Sequence, residues 1–294
     1  MVVSVPATSA NLGPGFDSLG LALSLYNTFS ITPARLSSIH IAGEGEDRPK
    51  LRVDNAFVKI FNETLELYSY PKAHYKFKFH NDIPISRGLG SSSAVIIGAI
   101  VSAYHIMGRA LNHDEILSLA LRYENHPDNI TPALLGGFTI AMAKHSSVKS
   151  LRVPIPDDIR AVVVIPSAAT STKQSRRTLP KYYPTKDCVF NLSRACMLSG
   201  AFLTQQWELL REASEDRFHQ EVRMKSLPIL FHVQKTALKH GALSSTLSGS
   251  GSSFLNICYR DDASQLARIL SETFPKFRVL ELGFDNEGAS LLES

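Results

Sequence analysis

The pattern of apolar and polar residues along the first half of the chain predicts five strands and three helices. The predicted strands cover residues 2–6, 18–32, 37–42, 75–80 and 138–144. The predicted helices run from Asp54 or Asn55 to about residue 70, where Pro71 ends the helix, and over 94–107 and 113–123. The polar stretches 7–17 and 124–131 are interpreted as loops.

The second half of the chain has a different pattern. Strands are predicted over residues 161–166, 243–247, 253–259 and 277–284, and helices over 186–210, 228–239 and 261–274. Strands and helices are interleaved without the regular alternation of a doubly wound sheet, which favours an α+β fold. The change in pattern predicts a domain boundary near residues 145–160.

Composition and charge narrow the class of protein. The chain has 294 residues, of which 44% are hydrophobic and 20% charged, so it can bury a large core and divide into two domains. The net charge of +4 is small and the basic residues are scattered along the chain, which argues against a nucleic-acid partner. No apolar stretch is long enough to span a membrane. Three widely spaced cysteines and the lack of a signal sequence favour a cytoplasmic protein with reduced thiols.

A glycine- and serine-rich stretch between a predicted strand and an apolar helix is the strongest candidate for chemistry. Its residues are Pro84, Ile85, Ser86, Arg87, Gly88, Leu89, Gly90, Ser91, Ser92, Ser93 and Ala94. A helix N-terminus offers free N–H groups and partial positive charge, which suit phosphate. Taken alone, the stretch supports a phosphate loop and a simple helix-capping turn about equally. The chain has no Gly-Lys dipeptide, so this is not a Walker-type loop.

Two further polar stretches carry potential acids and bases. Residues 6–20 combine several glycines with Asn11 and Asp17. Residues 124–129 place three ionisable side chains within five positions, and these acids together with serine hydroxyls suit Mg²⁺. Ordinary turns and a solvated loop are the alternative interpretations of these two stretches.

Two stretches in the second half are also candidates for anion binding. Residues 171–177 are rich in Ser, Thr, Lys and Arg, and residues 246–253 form a Ser/Gly turn between two strands. The second could form a nest of backbone N–H groups for an anion. Taken alone, the first is better interpreted as solvated surface and the second as a hairpin turn.

Together, these stretches resemble the GHMP kinase superfamily and, within it, the kinases that act on L-homoserine. Residues 6–20 are similar to the opening motif of those kinases, and residues 84–94 to their P-x-x-x-G-L-G-S-S-x-A loop. Residues 124–129, 136–138 and 247–251 also match. The resemblance spans nearly the full chain.

The resemblance implies a two-domain fold. Residues 1–155 would form an N-terminal ATP-binding domain with a left-handed β-α-β unit, an exception to the usual right-handed crossover. Residues 156–294 would form a ferredoxin-like C-terminal domain, with the last strand returning to the N-terminal domain.

The resemblance also implies the activity and its residues. ATP would phosphorylate the side-chain hydroxyl of L-homoserine to O-phospho-L-homoserine in threonine biosynthesis, with residues 84–94 cradling the phosphates and Asn55 near the adenine. Ser92 and Glu124 would hold Mg²⁺ and, with Asp128, form the catalytic group. The residues implied for substrate binding are Asn11, Asp17, His126, Asp128, Asn129, Thr172, Arg176, Arg223 and Gly249.

Several alternatives stay open at this point. Asp128 is a candidate general base or a ligand of the substrate ammonium group, and in the second case the γ-phosphate would accept the proton. The chain could instead be another GHMP small-molecule kinase, or a non-catalytic nucleotide-binding protein on the same fold. The sequence does not fix the oligomeric state, and a homodimer is among the states that stay open.

Overall fold

The computed structural model of the chain describes residues 1–168 and 172–292. Its strands are β1 (Val2–Ala10), β2 (Leu19–Pro33), β3 (Ser38–Gly43), β4 (Tyr75–Asn81), β5 (Phe138–Lys144), β6 (Ser147–Val153), β7 (Ile159–Ile165), β8 (Ser244–Leu247), β9 (Phe254–Tyr259), β10 (Arg278–Leu282) and β11 (Ser290–Leu292). Its helices are α1 (Lys50–Val53), α2 (Ala56–Leu67), α3 (Ser91–Ile106), α4 (His113–Ala120), α5 (Pro127–Leu135), α6 (Thr172–Arg177), α7 (Thr185–Thr204), α8 (Leu210–Ala213), α9 (Gln220–Met224), α10 (Ile229–Lys239) and α11 (Ala263–Thr273).

Seven of the described strands form the first sheet. Its main path is β11-β1-β2-β4-β3, and β5 pairs with both β2 and β6. β3 and β4 pair in parallel, as expected where helices connect two strands of one sheet. β11 pairs with β1, so the end of the chain returns to the sheet of the N-terminal half.

An aromatic cluster holds α2 against this sheet. The rings of Phe57 and Phe29 lie 4.7 Å apart, and Phe57 also contacts Phe79 at 4.9 Å. All three side chains are buried. Asn55 caps the helix by accepting a hydrogen bond from the N–H of Val58 at 3.1 Å, which decides between the two predicted caps.

Four strands form the second sheet, in the order β10-β7-β9-β8 with antiparallel neighbours. Apolar residues of α10 and α11, among them Val233 and Leu270, pack with Val164 and Phe254 in a second core. The chain order of these elements is β-α-β-β-α-β, that of a ferredoxin-like unit. The predicted α+β fold is thereby confirmed, whereas a division between residues 155 and 156 stays a prediction.

Several local predictions differ from the structure. β1 continues to Ala10, although residues 7–10 were predicted to lie in a loop. The polar stretch 124–131 is not a loop throughout, because α5 begins at Pro127, a residue suited to the first helical position. Strand β6 was not predicted. The helix predicted over 186–210 ends at Thr204, because Gln205 adopts a left-handed conformation with φ of 58°. Among the described residues, no helix is both long and apolar enough to cross a bilayer.

The glycine loop and the β8–β9 turn meet through their backbones. A Cβ atom on Gly88, whose φ is +78°, would lie 2.2 Å from the carbonyl oxygen of Ser248. The hydroxyl of Ser248 donates to the carbonyl of Gly88 at 2.6 Å, and the N–H of Ser253 donates to the carbonyl of Arg87 at 3.0 Å. This close approach joins the two halves of the chain and requires glycine.

We expect Gly88→Ala to destabilise the chain by several kcal/mol more than Gly108→Ala. Both glycines have positive φ, so both variants incur roughly 1–2 kcal/mol of left-handed strain. A Cβ on Gly108 has no neighbour within 4 Å, whereas that on Gly88 meets backbone. Urea unfolding of the two variants measures the difference. An equal loss of unfolding free energy in the two variants would show that the backbones of Gly88 and Ser248 are not in close contact.

Candidate active site

One cavity of about 560 Å³ brings together most of the residues singled out in the sequence. Residues 84–93 and Asn55 line it from the N-terminal half. Its other lining residues include Asn11, Glu124, His126, Asp128, Asn129, Arg176, Arg223 and Gly249. Ala94 is buried in α3 and does not line the cavity, although its neighbours Ser93 and Val95 do. The side chain of Thr172 lies outside the described residues.

The glycine loop ends at Gly90, which precedes the first turn of α3. Gly90 has φ of +70°, and a Cβ there would lie 1.9 Å from the hydroxyl oxygen of Thr8. The N–H of Thr8 donates to the carbonyl of Leu89 at 3.1 Å, which fixes the loop on β1. No side chain caps α3, so the N–H groups of its first turn, at residues 91–93, have no intrahelical partner, and these residues line the cavity. The result is a site of positive potential suited to phosphate.

Asp128 is the buried acid of the site. It lies in the first turn of α5 and is only 4% exposed. Burial, followed by the nearby charge of Asp17, raises the pKa of Asp128 to about 7. Asn129 donates to it at 3.4 Å and accepts from the hydroxyl of Thr8 at 2.8 Å. Because Asp128 forms no ion pair among the described residues, it is able to receive a cation or a proton from a ligand.

Glu124 and His126 lie beside Asp128 at the edge of the cavity. Nδ1 of His126 lies 3.2 Å from Oε1 of Glu124, and both side chains are about three-quarters buried. Glu124 and Ser92 line the same cavity and present a carboxylate and a hydroxyl oxygen. The described residues contain no group of three His, Cys, Asp or Glu that could form a metal cage. This donor set fits Mg²⁺, which is usually held by one or two protein oxygens, waters and substrate phosphates.

Two arginines from the C-terminal half approach the cavity. Both Nη atoms of Arg176 donate to the carboxylate of Asp17, in one case at 3.1 Å. Nη1 of Arg223 donates to the carbonyl of Gly249 at 3.0 Å. The Nε atoms of both arginines are buried and have no hydrogen-bond partner among the described residues. An anion in the cavity would satisfy these donors.

The two arginines also influence each other. Burial, and then the charge of Arg176, lowers the pKa of Arg223 to about 10. The guanidinium carbons of Arg176 and Arg223 lie 5.1 and 5.3 Å from the ring centre of Phe16. Such contacts with the ring face partly offset the cost of burying two cations together.

Asn11 connects the opening motif to the β8–β9 turn. Its amide donates to the carbonyl of Gly249 at 3.0 Å, and its carbonyl accepts from the N–H of Asp17 at 3.0 Å. Asn11 has φ of 71°, in the left-handed region that Asn tolerates better than most residues. Asp17 does not line the cavity itself but holds Arg176, which does.

Sequence reasoning missed three residues that shape this site. Phe16 lies within residues 6–20, the opening motif of the family, so the sequence did contain a signal that could have identified it. Thr8 also lies in that motif, but its contact with Gly90 depends on the pairing of distant segments. His219 lies in a stretch without any motif, and nothing local marks it.

Comparisons with known proteins agree with this geometry. The model of the GHMP kinases N terminal domain matches residues 55–137, and that of GHMP kinases C terminal matches residues 176–276. A homoserine kinase of Helicobacter hepaticus is 70% identical over 100% of both chains, and one of Wolinella succinogenes is 63% identical over 98% of both.

A solved structure shows the same fold. The crystal structure of homoserine kinase from Cytophaga hutchinsonii has a TM-score of 0.89 at 23% identity, covering 99% of this chain and 97% of that one. The family models cover most of both halves of the chain, and the curated relatives extend over its whole length. The resemblance predicted from the motifs is thus confirmed, and the chain belongs to the GHMP kinase family and, within it, to the homoserine kinases.

Proposed function

We propose that the chain transfers the γ-phosphoryl group of ATP to the side-chain hydroxyl of L-homoserine in the cytoplasm. The products are ADP and O-phospho-L-homoserine, an intermediate in threonine biosynthesis. The observation that carries the proposal is a single cavity with a phosphate-binding helix N-terminus at one part and a buried acid with two arginines at another. A nucleotide and a small amino acid need these features side by side.

ATP binds along the glycine loop. Its phosphates accept hydrogen bonds from the backbone N–H groups of residues 88–93 at the start of α3. Its adenine lies toward Asn55, where Phe57 and Ile41 add apolar lining. Phosphoryl transfer requires mainly positioning and charge stabilisation, which a fixed loop of this kind supplies.

Ser92 and Glu124 would hold Mg²⁺ together with oxygens of the nucleotide. When bound there, Mg²⁺ would supply positive charge that stabilises the phosphoryl group during transfer. The contact between His126 and Glu124 fixes the orientation of that carboxylate. An orienting partner of this kind improves a metal ligand by limiting its rotation.

Homoserine binds as a zwitterion. Its carboxylate accepts from the Nε and Nη2 donors of Arg223, with Arg176 contributing through its own Nε. Its ammonium group lies at Asp128, which forms no ion pair among the described residues. A small polar substrate of this kind is selected through paired polar contacts, because unpaired buried groups reject an analogue strongly.

The substrate hydroxyl attacks the γ-phosphorus, and the bond from that phosphorus to the bridging oxygen of ADP breaks. The hydroxyl proton passes to an oxygen of the transferred phosphoryl group. Asp128 holds the substrate ammonium and does not accept this proton. The alternative, in which Asp128 is the general base, is tested below.

An ADP-release assay tests the proposal directly. The purified chain is expected to release ADP with L-homoserine and far more slowly with mevalonate or galactose. Mass spectrometry of the product should show one added phosphoryl group on homoserine. Preference for another alcohol would identify a different GHMP kinase, and ATP binding without turnover of any alcohol would favour a non-catalytic nucleotide-binding protein.

Glu124→Gln is expected to lower kcat on the order of a hundredfold and to raise the Mg²⁺ concentration needed for half-maximal rate. The amide keeps the shape of the side chain but loses the charge that attracts the ion. Circular dichroism verifies the fold, and Glu272→Gln on exposed α11 serves as the matched control. Near-normal turnover with unchanged Mg²⁺ dependence would remove Glu124 from the metal site.

Homoserine affinity is expected to rise with pH between about 6 and 8, and binding near pH 7 should release protons. Asp128 with a pKa of about 7 is partly protonated there, and an ammonium group favours the charged form, which lowers that pKa. Calorimetry in buffers of different ionisation enthalpy measures the released protons.

Asp128→Asn separates the binding role from the base role. The variant is expected to lose both the proton release and most of the homoserine affinity. A general base would instead lower kcat by roughly 10²–10⁴-fold while homoserine affinity is kept. That second pattern would overturn the binding role.

Arg223→Lys and Arg176→Lys are each expected to raise the homoserine KM while the ATP KM changes little. Lysine keeps the charge but cannot present two parallel donors to a carboxylate. Both variants should also discriminate less against homoserinol, which lacks the carboxylate. Arg268→Lys on α11 is the control. Wild-type KM and full discrimination in both variants would mean that the carboxylate is bound elsewhere.

A further inference from the structure

The hydrogen-bond arrangement around Arg223 involves a buried histidine that the proposed reaction does not use. His219 is 1% exposed and precedes α9, four residues before Arg223. Its Nδ1 lies 3.0 Å from Nη1 of Arg223, and its Nε2 lies 2.9 Å from the carbonyl oxygen of Gly13. The ring therefore connects an arginine of the C-terminal half to the opening motif of the N-terminal half.

Elementary chemistry fixes the protonation of this ring. A guanidinium only donates, so Nδ1 of His219 must carry a lone pair. The carbonyl of Gly13 only accepts, so Nε2 must carry the hydrogen. Only the neutral imidazole with its hydrogen on Nε2 satisfies both contacts. Burial lowers the pKa of His219 to about 4, which agrees with a neutral ring.

Oδ2 of Asp216 lies 3.9 Å from Nε2 of His219, beyond hydrogen-bond distance, so the carbonyl of Gly13 at 2.9 Å is the acceptor of the ring N–H. The oxygens of Asp216 accept backbone N–H groups of Phe218, His219 and Gln220 at 2.7–2.9 Å and the amide of Asn191 at 2.8 Å. These bonds fix the turn that enters α9. His219 is thus held in place independently of Arg223.

The effect on Arg223 follows from counting donors. Nη1 carries two hydrogens, and its two acceptors are Nδ1 of His219 and the carbonyl of Gly249. Both hydrogens on Nη1 are thereby used within the protein. The remaining edge of the guanidinium carries Nε and Nη2, which are the two parallel donors suited to a carboxylate. Nε is buried without a partner among the described residues.

We infer that His219 is a positioning residue that turns the Nε–Nη2 edge of Arg223 toward the substrate carboxylate. The inference rests on the proposed function, since it assigns the carboxylate of homoserine to Arg223. His219 does not contact substrate. It sets substrate affinity and selectivity by fixing the rotation of the guanidinium.

Two amide substitutions separate the two contacts of the ring. His219→Asn places an amide oxygen near Nδ1 and so keeps an acceptor for Arg223, while the contact with Gly13 is lost. His219→Gln places an amide N–H near Nε2 and so keeps the contact with Gly13, while the acceptor is lost. The half-buried His105 in α3 gives the control His105→Gln.

His219→Gln is expected to raise the homoserine KM about tenfold and to reduce discrimination against homoserinol, because a hydrogen bond to a charged group is lost. For His219→Asn, the homoserine KM and the discrimination against homoserinol should both stay within about twofold of the wild-type values. The ATP KM should change little in either variant. In an Arg223→Lys background, the effect of His219→Gln on KM should largely disappear, since the edge it orients is gone.

Several outcomes would overturn the inference. They are equal KM values for the Asn and Gln variants, a larger effect for Asn than for Gln, or an undiminished Gln effect in the Arg223→Lys background. Nitrogen-15 chemical shifts of wild-type His219 test the tautomer even if a variant does not fold, and a protonated Nδ1 would also overturn it. A wild-type KM in Arg223→Lys would overturn the inference as well, because the carboxylate would be bound elsewhere. The proposed function fails separately, if wild type does not phosphorylate homoserine.

Discussion

The arrangement of the site depends on one backbone contact between the halves of the chain. Gly88 approaches Ser248 so closely that no side chain fits between them, and the hydroxyl of Ser248 bonds to both Gly88 and Ser9. The glycine loop lines the part of the cavity to which we assign the phosphates, and the turn carries Gly249, which accepts a hydrogen bond from Arg223. The contact therefore sets the distance between the two reactants, on which an in-line transfer depends.

The charges of the site are incomplete without a ligand. Among the described residues, Asp128 is buried and forms no ion pair, and the Nε atoms of two arginines have no acceptor. Each of these groups loses hydration without full compensation in the free chain. A zwitterion supplies a cation for the acid and an anion for the arginines at the same time. An uncharged alcohol supplies neither, so the same burial that weakens the free protein selects the substrate.

The sequence predicted what depends on local signals. Asn55 was one of two predicted caps of α2, and the glycine loop was placed correctly between a strand and a buried helix. The stretch 124–131 shows the limit, because its polar residues face a cavity that only the folded chain creates. There, the helix that carries the cavity residues Asp128 and Asn129 begins with the composition of a loop. Hydrophobic periodicity and helix propensity identify a helix that buries one apolar face. They fail for a helix whose polar face is also enclosed by the fold.

Contacts between distant residues could not be predicted in the same way. Arg176 pairs with Asp17 across 159 positions, and His219 contacts Gly13 across 206. No local pattern encodes such pairs, because they follow from how the two halves pack. The ion pair between Arg176 and Asp17 also separates the roles of Arg176 and Arg223, to which the family resemblance assigns the same role. Arg176 turns its Nη1–Nη2 edge to Asp17, whereas Arg223 uses Nη1 for His219 and Gly249. The residue that fixes Arg223, His219, follows from geometry alone.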